Sequence, residues 1–292
     1  MSSLLTNTSA MTALAALTKT QANLNTTQNQ VSTGLRISSA ADNASYWSIA
    51  TKMQSNVGAL GAVSDALSES SALVSTMTSA LQSSISVVNA IKNDLVTASN
   101  PASDLSKIQT DIAARQSLLL SIGGSANFSG QNFLETTGGT VDLVASYDST
   151  NGVSFLSVDT SQTALFDSTT APTTGILGAN GANFATASVL SLDISAATAG
   201  DLANMLKDVE TAISSLTTAA STLGATTVNI TTQQNFVSNL TDSLTTGVGS
   251  LVDANMNEAA TKLAALQVQQ QLGIQALSIS NSNTQLILKL FP

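Results

Sequence analysis

The stretch that decides the fold is AATKLAALQVQQQLGIQAL, residues 259–277, near the end of the chain. Small and apolar residues recur in it in alternating steps of four and three, the spacing by which one helix packs along another. Residues 263–288 contain no charged side chain. The pattern predicts a long helix that needs a partner, with a seam at Ala259, Leu263, Leu266, Gln270, Gly273 and Leu277.

The first 35 residues repeat these steps, and Lys19 is their only charge. The seam expected there is Ala10, Leu14, Leu17, Gln21, Leu24, Gln28, Val31 and Leu35. We predict that residues 1–36 and 252–292 form a pair of coiled-coil-like helices. Because their flanks are uncharged, we expect poor order in an isolated chain and ordering against further copies. An ordinary intramolecular coiled coil is the alternative.

The composition favours a protein that stays in contact with other subunits. Charged residues make up 9% of the chain, against about 25% in an ordinary soluble domain. A neutral polar surface lacks the repulsion that keeps monomers apart, although solvation by water alone is the simpler explanation. The nine basic residues never cluster, so we expect neither nucleic acid nor membrane as a partner.

Two residue types that carry much of enzyme chemistry are missing. The chain has no cysteine and no histidine, which excludes thiolate nucleophiles, disulfides and the usual zinc ligands. We therefore predict no enzyme activity, no cofactor and no metal site. The N-terminus is a poor secretory signal, and no window of about 20 residues is predominantly apolar. These signals alone predict a cytosolic protein.

Long helices are predicted on both sides of the middle of the chain. One runs from Ser39 to Ser99, with Asp42 or Asn43 at its start. Asn100 is expected to cap a second helix, with Pro101 at its first position, that ends at Gly123-Gly124. A third starts at Ala199 and reaches about Leu244, where Gly247 and Gly249 are expected to break it. These helices assign 37–126 and 196–251 to one helical body.

Residues 127–195 have a different character. Alternating runs at 141–147 and 153–158, separated by Asp148-Ser-Thr-Asn-Gly152, predict a β-hairpin. Six acidic residues and no Lys or Arg lie between Glu135 and Asp193. This favours a segment that faces solvent, although an acidic loop without such a role is equally compatible. The fold class predicted is mainly α: an elongated rod of long antiparallel helices with coiled-coil-like termini and a small β-hairpin region in the middle.

Two stretches of the sequence resemble bacterial flagellin. They are Val31-Ser-Thr-Gly-Leu-Arg-Ile-Ser-Ser-Ala-Ala-Asp-Asn43 and Leu251-Val-Asp-Ala-Asn-Met-Asn-Glu-Ala259, and the latter continues through residues 263–291. With the helices around 105–132, the resemblance covers roughly two thirds of the chain. The sequence of these stretches is most similar to that of the alpha-proteobacterial branch of the family.

This resemblance implies a structural subunit that polymerises into the flagellar filament. It places residues 1–36 with 252–292 in an inner tube, the helical body in the next shell, and 127–195 on the outside. It also implies secretion through the flagellar export apparatus to an extracellular filament. The implied partners are further copies of the chain, other flagellins, an export chaperone, the filament cap and the hook-junction proteins.

The residues expected at the assembly interface come from both termini and the turn beside them. Arg36 in that turn is expected to pair with Asp42 or a neighbouring subunit, unless it is only a solvated surface residue. The full interface predicted is Leu14, Leu17, Leu24, Val31, Arg36, Asp42, Leu263, Leu266, Ile274, Leu277 and Leu288.

Two other functions remain open at this point. A hook-filament junction protein shares the helical ends but caps a ring. A secreted coiled-coil adhesin would need charged flanks along its heptads, which the ends of this chain lack.

Overall fold

The computed structural model describes the chain from Asn7 to Leu290, with side chains described up to Ser282. The predicted mainly helical architecture, with long helices and a small hairpin in mid-chain, is confirmed. The chain divides into two compact units, residues 1–57 with 242–292 and residues 58–241. The described elements are α1 (Thr8–Thr33), α2 (Ala44–Ala98), α3 (Leu105–Ser125), β1 (Thr140–Asp148), β2 (Gly152–Asp159), α4 (Ala199–Val252) and α5 (Met256–Leu290).

In the first unit, α1 and α5 each begin at an asparagine cap. The Asn7 side-chain oxygen accepts a hydrogen bond from the Ala10 amide at 2.9 Å. Asn255 does the same for the amides of Asn257 and Glu258. Such caps satisfy amides that lack a partner in the first helical turn. At its other end α1 stops at Gly34, whose φ of 74° is left-handed and favours glycine.

Helices α1 and α5 pack against each other in antiparallel directions. Near the start of α1, the Asn7 side-chain amide donates to the Ser280 carbonyl at 3.2 Å. Beyond the other ends of the two helices, Leu35 and Asp253 form an antiparallel bridge. The Ala254 amide also donates there to the Gly34 carbonyl at 2.8 Å.

The second unit contains α3 and most of α2 and α4. Buried residues of α2 recur in steps of three and four, and α4 has the same repeat. Lys92 of α2 forms an ion pair with Glu210 of α4 at 2.9 Å, and Arg115 of α3 forms one with Asp94 of α2 at 2.7 Å. The buried heptad series of α2 is Leu60, Val63, Leu67, Ser70, Val74, Met77, Leu81, Ser84, Val88, Ile91, Leu95 and Ala98, and Ala50 and Leu73 of the same helix are buried as well.

Hydroxyl side chains lie in these seams without a loss of hydrogen bonding. The Ser70 hydroxyl donates to the Ala66 carbonyl at 2.8 Å, one turn back along its own helix. Ser84 makes the equivalent bond at 2.9 Å. Because the hydroxyl is satisfied within the helix, it can be buried without the cost of an unpaired polar group. This explains how helices so rich in Ser and Thr still form a core.

The predicted start of the second helix is wrong. Helix α3 begins at Leu105, and Asp104, rather than Asn100, accepts the capping bond, from the Lys107 amide at 3.4 Å. The Ser103 amide donates instead to the Asn100 carbonyl at 2.9 Å, which closes a β-turn. Proline is favoured at the second position of such a turn, so Pro101 belongs to the turn and not to the helix.

The two helix ends assigned to glycine are also wrong. Helix α3 continues through Gly123 and Gly124 to Ser125, and α4 continues through Gly247 and Gly249 to Val252. Gly123 is buried, and a β-carbon there would lie 2.5 Å from Phe166 Cζ. At Gly247 a β-carbon would lie 2.7 Å from Met53 Cε. At Gly123 the Phe166 ring occupies the space of a β-carbon, which can outweigh the helix cost of glycine of about 1 kcal/mol, whereas at Gly247 only the end of the flexible Met53 side chain does so.

The hairpin lies where the sequence predicts it. Strands β1 and β2 pair antiparallel from Thr140 with Asp159 to Asp148 with Gly152, and the register shifts between Val144 and Ser146. The loops that follow the hairpin are held to α3. Gln116 donates to the carbonyls of Val189 and Leu192, both at 3.0 Å.

The acidic residues of the middle segment organise its turns, a role that was not predicted. Asp148 accepts hydrogen bonds from the amides of Thr150 and Asn151 in the hairpin loop. The other five acidic residues between Glu135 and Asp193 also accept bonds from residues of the same segment. Carboxylates that accept hydrogen bonds from loop amides stabilise turns where no strand pairing satisfies those amides.

Over the described residues, no helix is both long and apolar enough for a membrane span.

Candidate assembly surface

Six of the predicted interface residues line the seam between α1 and α5 within one subunit. Leu24 and Leu266 are buried, with 5% and 7% of their surfaces exposed. Four others are half-buried along the same seam: Leu17, Val31, Leu263 and Leu277. Glycine at position 273 lets the helices approach closely, because a β-carbon there would lie 3.2 Å from Leu17 Cδ1. These six side chains therefore hold the two terminal helices together.

The seam of α5 runs through all six predicted positions. In α1, some seam positions lie one residue before the predicted ones. Leu14 is exposed, and Ala13 is the half-buried residue beside it. Similarly, Gln28 is exposed and Thr27 is buried. The Thr27 hydroxyl donates to the Asn23 carbonyl at 2.9 Å, so this side chain is satisfied without solvent. Small residues are favoured at these positions because the helices pack closely.

A polar pair lies in the middle of this seam. The Gln270 side-chain amide donates to the Gln21 side-chain oxygen at 2.5 Å, and both residues are half-buried. Gln21 in turn donates to Asn25 at 3.2 Å. A polar pair between packed helices favours the register in which its bond is made. Both glutamines were predicted on the seam, but not their hydrogen bond.

Several of the described apolar side chains of the two helices are exposed. Leu14 and Ile274, both predicted interface residues, are 53% and 54% exposed. Five further exposed apolar residues of the same helices were not predicted: Met11, Val268, Leu272 and Ile279, and Met256 at the start of α5. A search for large apolar residues outside the heptad positions of the two helices would have indicated the first four. We give the name outward apolar face to six of these residues, Met11, Leu14, Val268, Leu272, Ile274 and Ile279.

Two open grooves run along α1 beside this face. One, of about 460 Å³, lies between the helices and is lined by Leu17, Gln21, Gln270 and Ile274 among others. The second, of about 560 Å³, lies along Met11, Leu14, Ala15, Thr18, Lys19 and Ala22. Open apolar grooves of this kind accept the side chains of another helix.

The turn after α1 is fastened to the end of α4. The backbone amides of Arg36 and Ile37 donate to the Val252 carbonyl, at 2.7 and 3.2 Å. The Arg36 guanidinium donates through Nη2 to the Leu251 carbonyl at 2.9 Å. Cations are favoured at a helix C-terminus, where carbonyls lack helical partners. Ile37 is buried beneath this turn in a cluster with Ala50, Val248 and Val252.

Arg36 and Asp42 do not form an ion pair with each other. Asp42 Oδ2 accepts four hydrogen bonds, from the amides and hydroxyls of Ser38 and Ser39, at 3.0 to 3.1 Å. The backbone bond from Ser38 and the bonds from Ser39 hold the pKa of Asp42 below its usual value of 3.8. The helix start is capped by Asn43, whose side chain accepts from the Ser45 and Tyr46 amides. The two residues therefore stabilise different parts of the turn.

The charges on the described side chains of the first unit balance one another. They are Lys19, Arg36, Lys52 and Lys262, against Asp42, Asp242, Asp253 and Glu258. None of the three ion pairs found among the described residues lies in this unit. The surface around the outward apolar face is thus close to neutral. Leu288, the last predicted interface residue, lies outside the described side chains.

Comparison with known proteins assigns both halves of the helical pattern to one family. Residues 4–138 match the model of the bacterial flagellin N-terminal helical region, and residues 206–291 match that of the C-terminal helical region. The unmatched residues 139–205 contain the hairpin and the loops after it.

Relatives from alpha-proteobacteria match the chain from end to end, which confirms the predicted branch. Flagellin C of Rhizobium meliloti (strain 1021) is 43% identical over 320 residues, covering 100% of this chain and 99% of the relative. The flagellin of Brucella melitensis biotype 1 is 45% identical over 292 residues, with the same coverage. Full-length similarity to flagellins favours the filament subunit over the junction protein and the adhesin. The chain therefore belongs to the bacterial flagellin family and is a structural subunit of the flagellar filament, not an enzyme.

Proposed function

We propose that the outward apolar face of α1 and α5 joins each subunit to its neighbours in the filament. The observation that carries this proposal is the exposure of large apolar side chains, Leu14 and Ile274 among them, on nearly uncharged helices. Burying one such side chain stabilises an association by about 1.5–3 kcal/mol. With six of them on each subunit, polymerisation is driven mainly by removal of apolar surface from water.

The grooves beside α1 supply the places where these side chains bind. Leu14 lines one groove and Ile274 lines the other, so each groove combines a docking space with an exposed apolar residue. Helices of neighbouring copies would pack into both. The balanced charges of the first unit support this packing, because like-charge repulsion between copies is small there.

Arg36 and Asp42 take part in the interface less directly. Arg36 and Asp42 are both exposed, but each already has hydrogen-bond partners within the subunit: Arg36 donates to the Leu251 carbonyl, and Asp42 accepts from Ser38. Their contribution is to fix the turn between α1 and α2, so that both helices present defined surfaces to a neighbouring subunit. The buried and half-buried seam leucines contribute by holding α1 to α5.

The family resemblance implies a position in the filament for each segment of the chain. We infer that residues 1–36 and 252–292 form the inner tube, that 37–126 and 196–251 form the next shell, and that 127–195 lie outside. The charge distribution supports a place for residues 58–241 outside the inner tube, since they carry 14 acidic and 4 basic residues. Strongly acidic surfaces repel one another and suit a position facing solvent.

The filament is extracellular, and we propose that the subunit reaches it through the flagellar export apparatus. An export chaperone, the filament cap, the hook-junction proteins and other flagellins complete the set of proposed partners. Family membership supports this route. A strain without the export apparatus should retain the protein inside the cell, whereas continued release of intact subunits would contradict the route.

Cysteine labelling tests the proposed interface, because the chain has no cysteine of its own. Leu14→Cys and Ile274→Cys should react quickly with a maleimide in the monomer and slowly in assembled filaments. Phe155→Cys on β2 is a matched control, since Phe155 is 56% exposed and is proposed to lie outside. It should react equally in both states. Equal reactivity of positions 14 and 274 in monomer and filament would exclude them from the interface.

A further inference from the structure

The sequence contains Asn-Gly at two places, Asn151-Gly152 and Asn180-Gly181. This dipeptide is the sequence most prone to spontaneous loss of the asparagine amide, because glycine has no side chain to shield its backbone nitrogen. Sequence alone treats the two sites as equivalent. Both asparagines are also exposed in the structure, so exposure does not distinguish them.

The reaction needs no enzyme and only water as co-reactant. The backbone nitrogen of the glycine attacks the side-chain carbonyl carbon of the asparagine and forms a new C–N bond. The bond to the side-chain nitrogen breaks, and ammonia leaves with the proton from the attacking nitrogen. Water then opens the cyclic imide at either carbonyl, giving aspartate or isoaspartate. The side-chain amide must therefore be free to rotate, and the glycine nitrogen must be reachable.

At the hairpin tip, the asparagine side chain is free to rotate and the space beside the glycine is open. Within the described part of the chain, the Asn151 side-chain amide has no hydrogen-bond partner, and only its backbone amide is held, by Asp148 at 3.3 Å. The space around Gly152 is open, since a β-carbon there would have nothing within 4 Å. Gly152 also pairs with Asp148 at the last register position of the ladder, next to the turn.

The second site is held on both sides of the reacting bond. The Asn180 side-chain amide donates to the Ala185 carbonyl at 3.1 Å. The nucleophile itself, the Gly181 nitrogen, donates its hydrogen to the Ala187 carbonyl at 3.1 Å. The Asp208 carboxylate fills the space beside Gly181. Asp208 also accepts bonds from the amides of Asn183 and Phe184, which fixes this loop against α4.

We propose that Asn151 is a site of spontaneous deamidation in the folded protein and that Asn180 is protected. Each conversion places a new carboxylate at the hairpin tip and makes the chain one charge more acidic than its formal −9. The new group lies beside Asp148, which binds the Thr150 and Asn151 amides at the same turn. The modified fraction rises with the time since folding, so it records the age of the subunit.

The test follows both sites in the same sample of full-length protein. Native protein is incubated in mildly alkaline buffer, digested, and analysed by mass spectrometry, with isoaspartate detected by enzymatic methylation. Asn151 should convert about tenfold faster than Asn180, because reaction at Asn180 requires two hydrogen bonds to open. In concentrated urea the two sites should react at similar rates.

Two controls keep the outcome unambiguous. Asn151→Gln should abolish the hairpin-tip product while leaving the slow reaction at Asn180 unchanged, because the longer side chain cyclises poorly. Gly152 remains in place in that variant, so the hairpin turn keeps the glycine that its positive φ requires. Equal native rates at the two sites, or faster conversion at Asn180, would overturn the proposal. So would a native protein in which neither site converts although both convert in urea.

Discussion

The Gln270 side-chain amide donates a hydrogen bond to Gln21 at 2.5 Å and so joins α5 to α1 in the middle of their seam. Leucine at both positions would bury more apolar surface, but it would also allow the helices to slide by one heptad. The glutamine pair makes its bond in only one register. It therefore fixes which side chains of α1 and α5 remain on the outward apolar face.

Replacing one member of this pair leaves the other half-buried without its partner. We expect Gln21→Ala and Gln270→Ala each to weaken the helix pair by about 1 kcal/mol. The double variant should cost less than the sum of the two, because the same bond is lost only once. Filament melting temperatures provide the measurement. Gln28→Ala is the control, since Gln28 is exposed on the same helix, and additive effects of the first two variants would contradict the coupling.

The Arg36 guanidinium stabilises the end of α4 through the Leu251 carbonyl, at 2.9 Å. We expect Arg36→Gln to destabilise this junction by about 1 kcal/mol, through loss of a charged donor at a helix C-terminus. Amide exchange of Asp253 and Ala254 should become faster, because both amides bond to neighbouring carbonyls at this junction. Lys52→Gln removes a charge elsewhere in the unit and should leave those two amides unchanged. Unchanged exchange in Arg36→Gln would remove Arg36 from the junction.

Two glycines in helices are expected to respond to alanine in opposite ways. Gly123→Ala would place its β-carbon 2.5 Å from Phe166 Cζ, and overpacking of this kind costs about 1–3 kcal/mol. A β-carbon at Gly224 in α4 would have nothing within 4 Å, so Gly224→Ala should stabilise the helix by about 0.5–1 kcal/mol. Thermal unfolding of the monomer measures both. Stabilisation by Gly123→Ala would show that Phe166 is not packed as described.

The loop held by Asp167 should loosen only in strong acid. Asp167 accepts from the Thr173 hydroxyl at 2.6 Å and from the Thr173 amide at 2.8 Å, and these bonds lower its pKa from 3.8 to about 2. A lowered pKa in the folded state means that the ionised form stabilises the loop. That stabilisation is complete above pH 3.8 and is lost as the pH falls through about 2.

The chemical shift of the Thr173 amide follows this transition directly. It should titrate with a midpoint near pH 2, and Asp167→Asn should remove the titration while leaving the amide in place. A midpoint close to the ordinary value of 3.8 would contradict the hydrogen-bonded carboxylate.

The seam of α5 could be predicted from the sequence because apolar spacing alone determines it. All six predicted positions, from Ala259 to Leu277, are buried or half-buried. In α1 the same reasoning chose Leu14 and Gln28, and the structure buries the small neighbouring positions more deeply. Hydrophobicity favours the larger side chain, whereas close packing favours the smaller one. A prediction from apolar spacing alone does not include the effect of close packing.

Features that depend on contacts distant in sequence could not be predicted. Gly123 was expected to end a helix on propensity, but its environment is set by Phe166, which lies in another segment. The Gln21–Gln270 bond likewise joins the two ends of the chain. For the candidate interface, the exposed residues Leu14 and Ile274 were predicted from the apolar spacing of the two ends, whereas Met11 and Ile279 emerged only from the exposed surface.

Seeded polymerisation watched by electron microscopy tests the central claim, that the paired terminal helices drive assembly. Purified intact protein is compared with a variant that lacks residues 263–292, which removes most of α5 (Met256–Leu290). The account predicts long filaments from the intact chain and none from the truncated one, although residues 58–241 form a separate compact unit. Filaments of normal length from the truncated chain, or only rings from the intact chain, would contradict it.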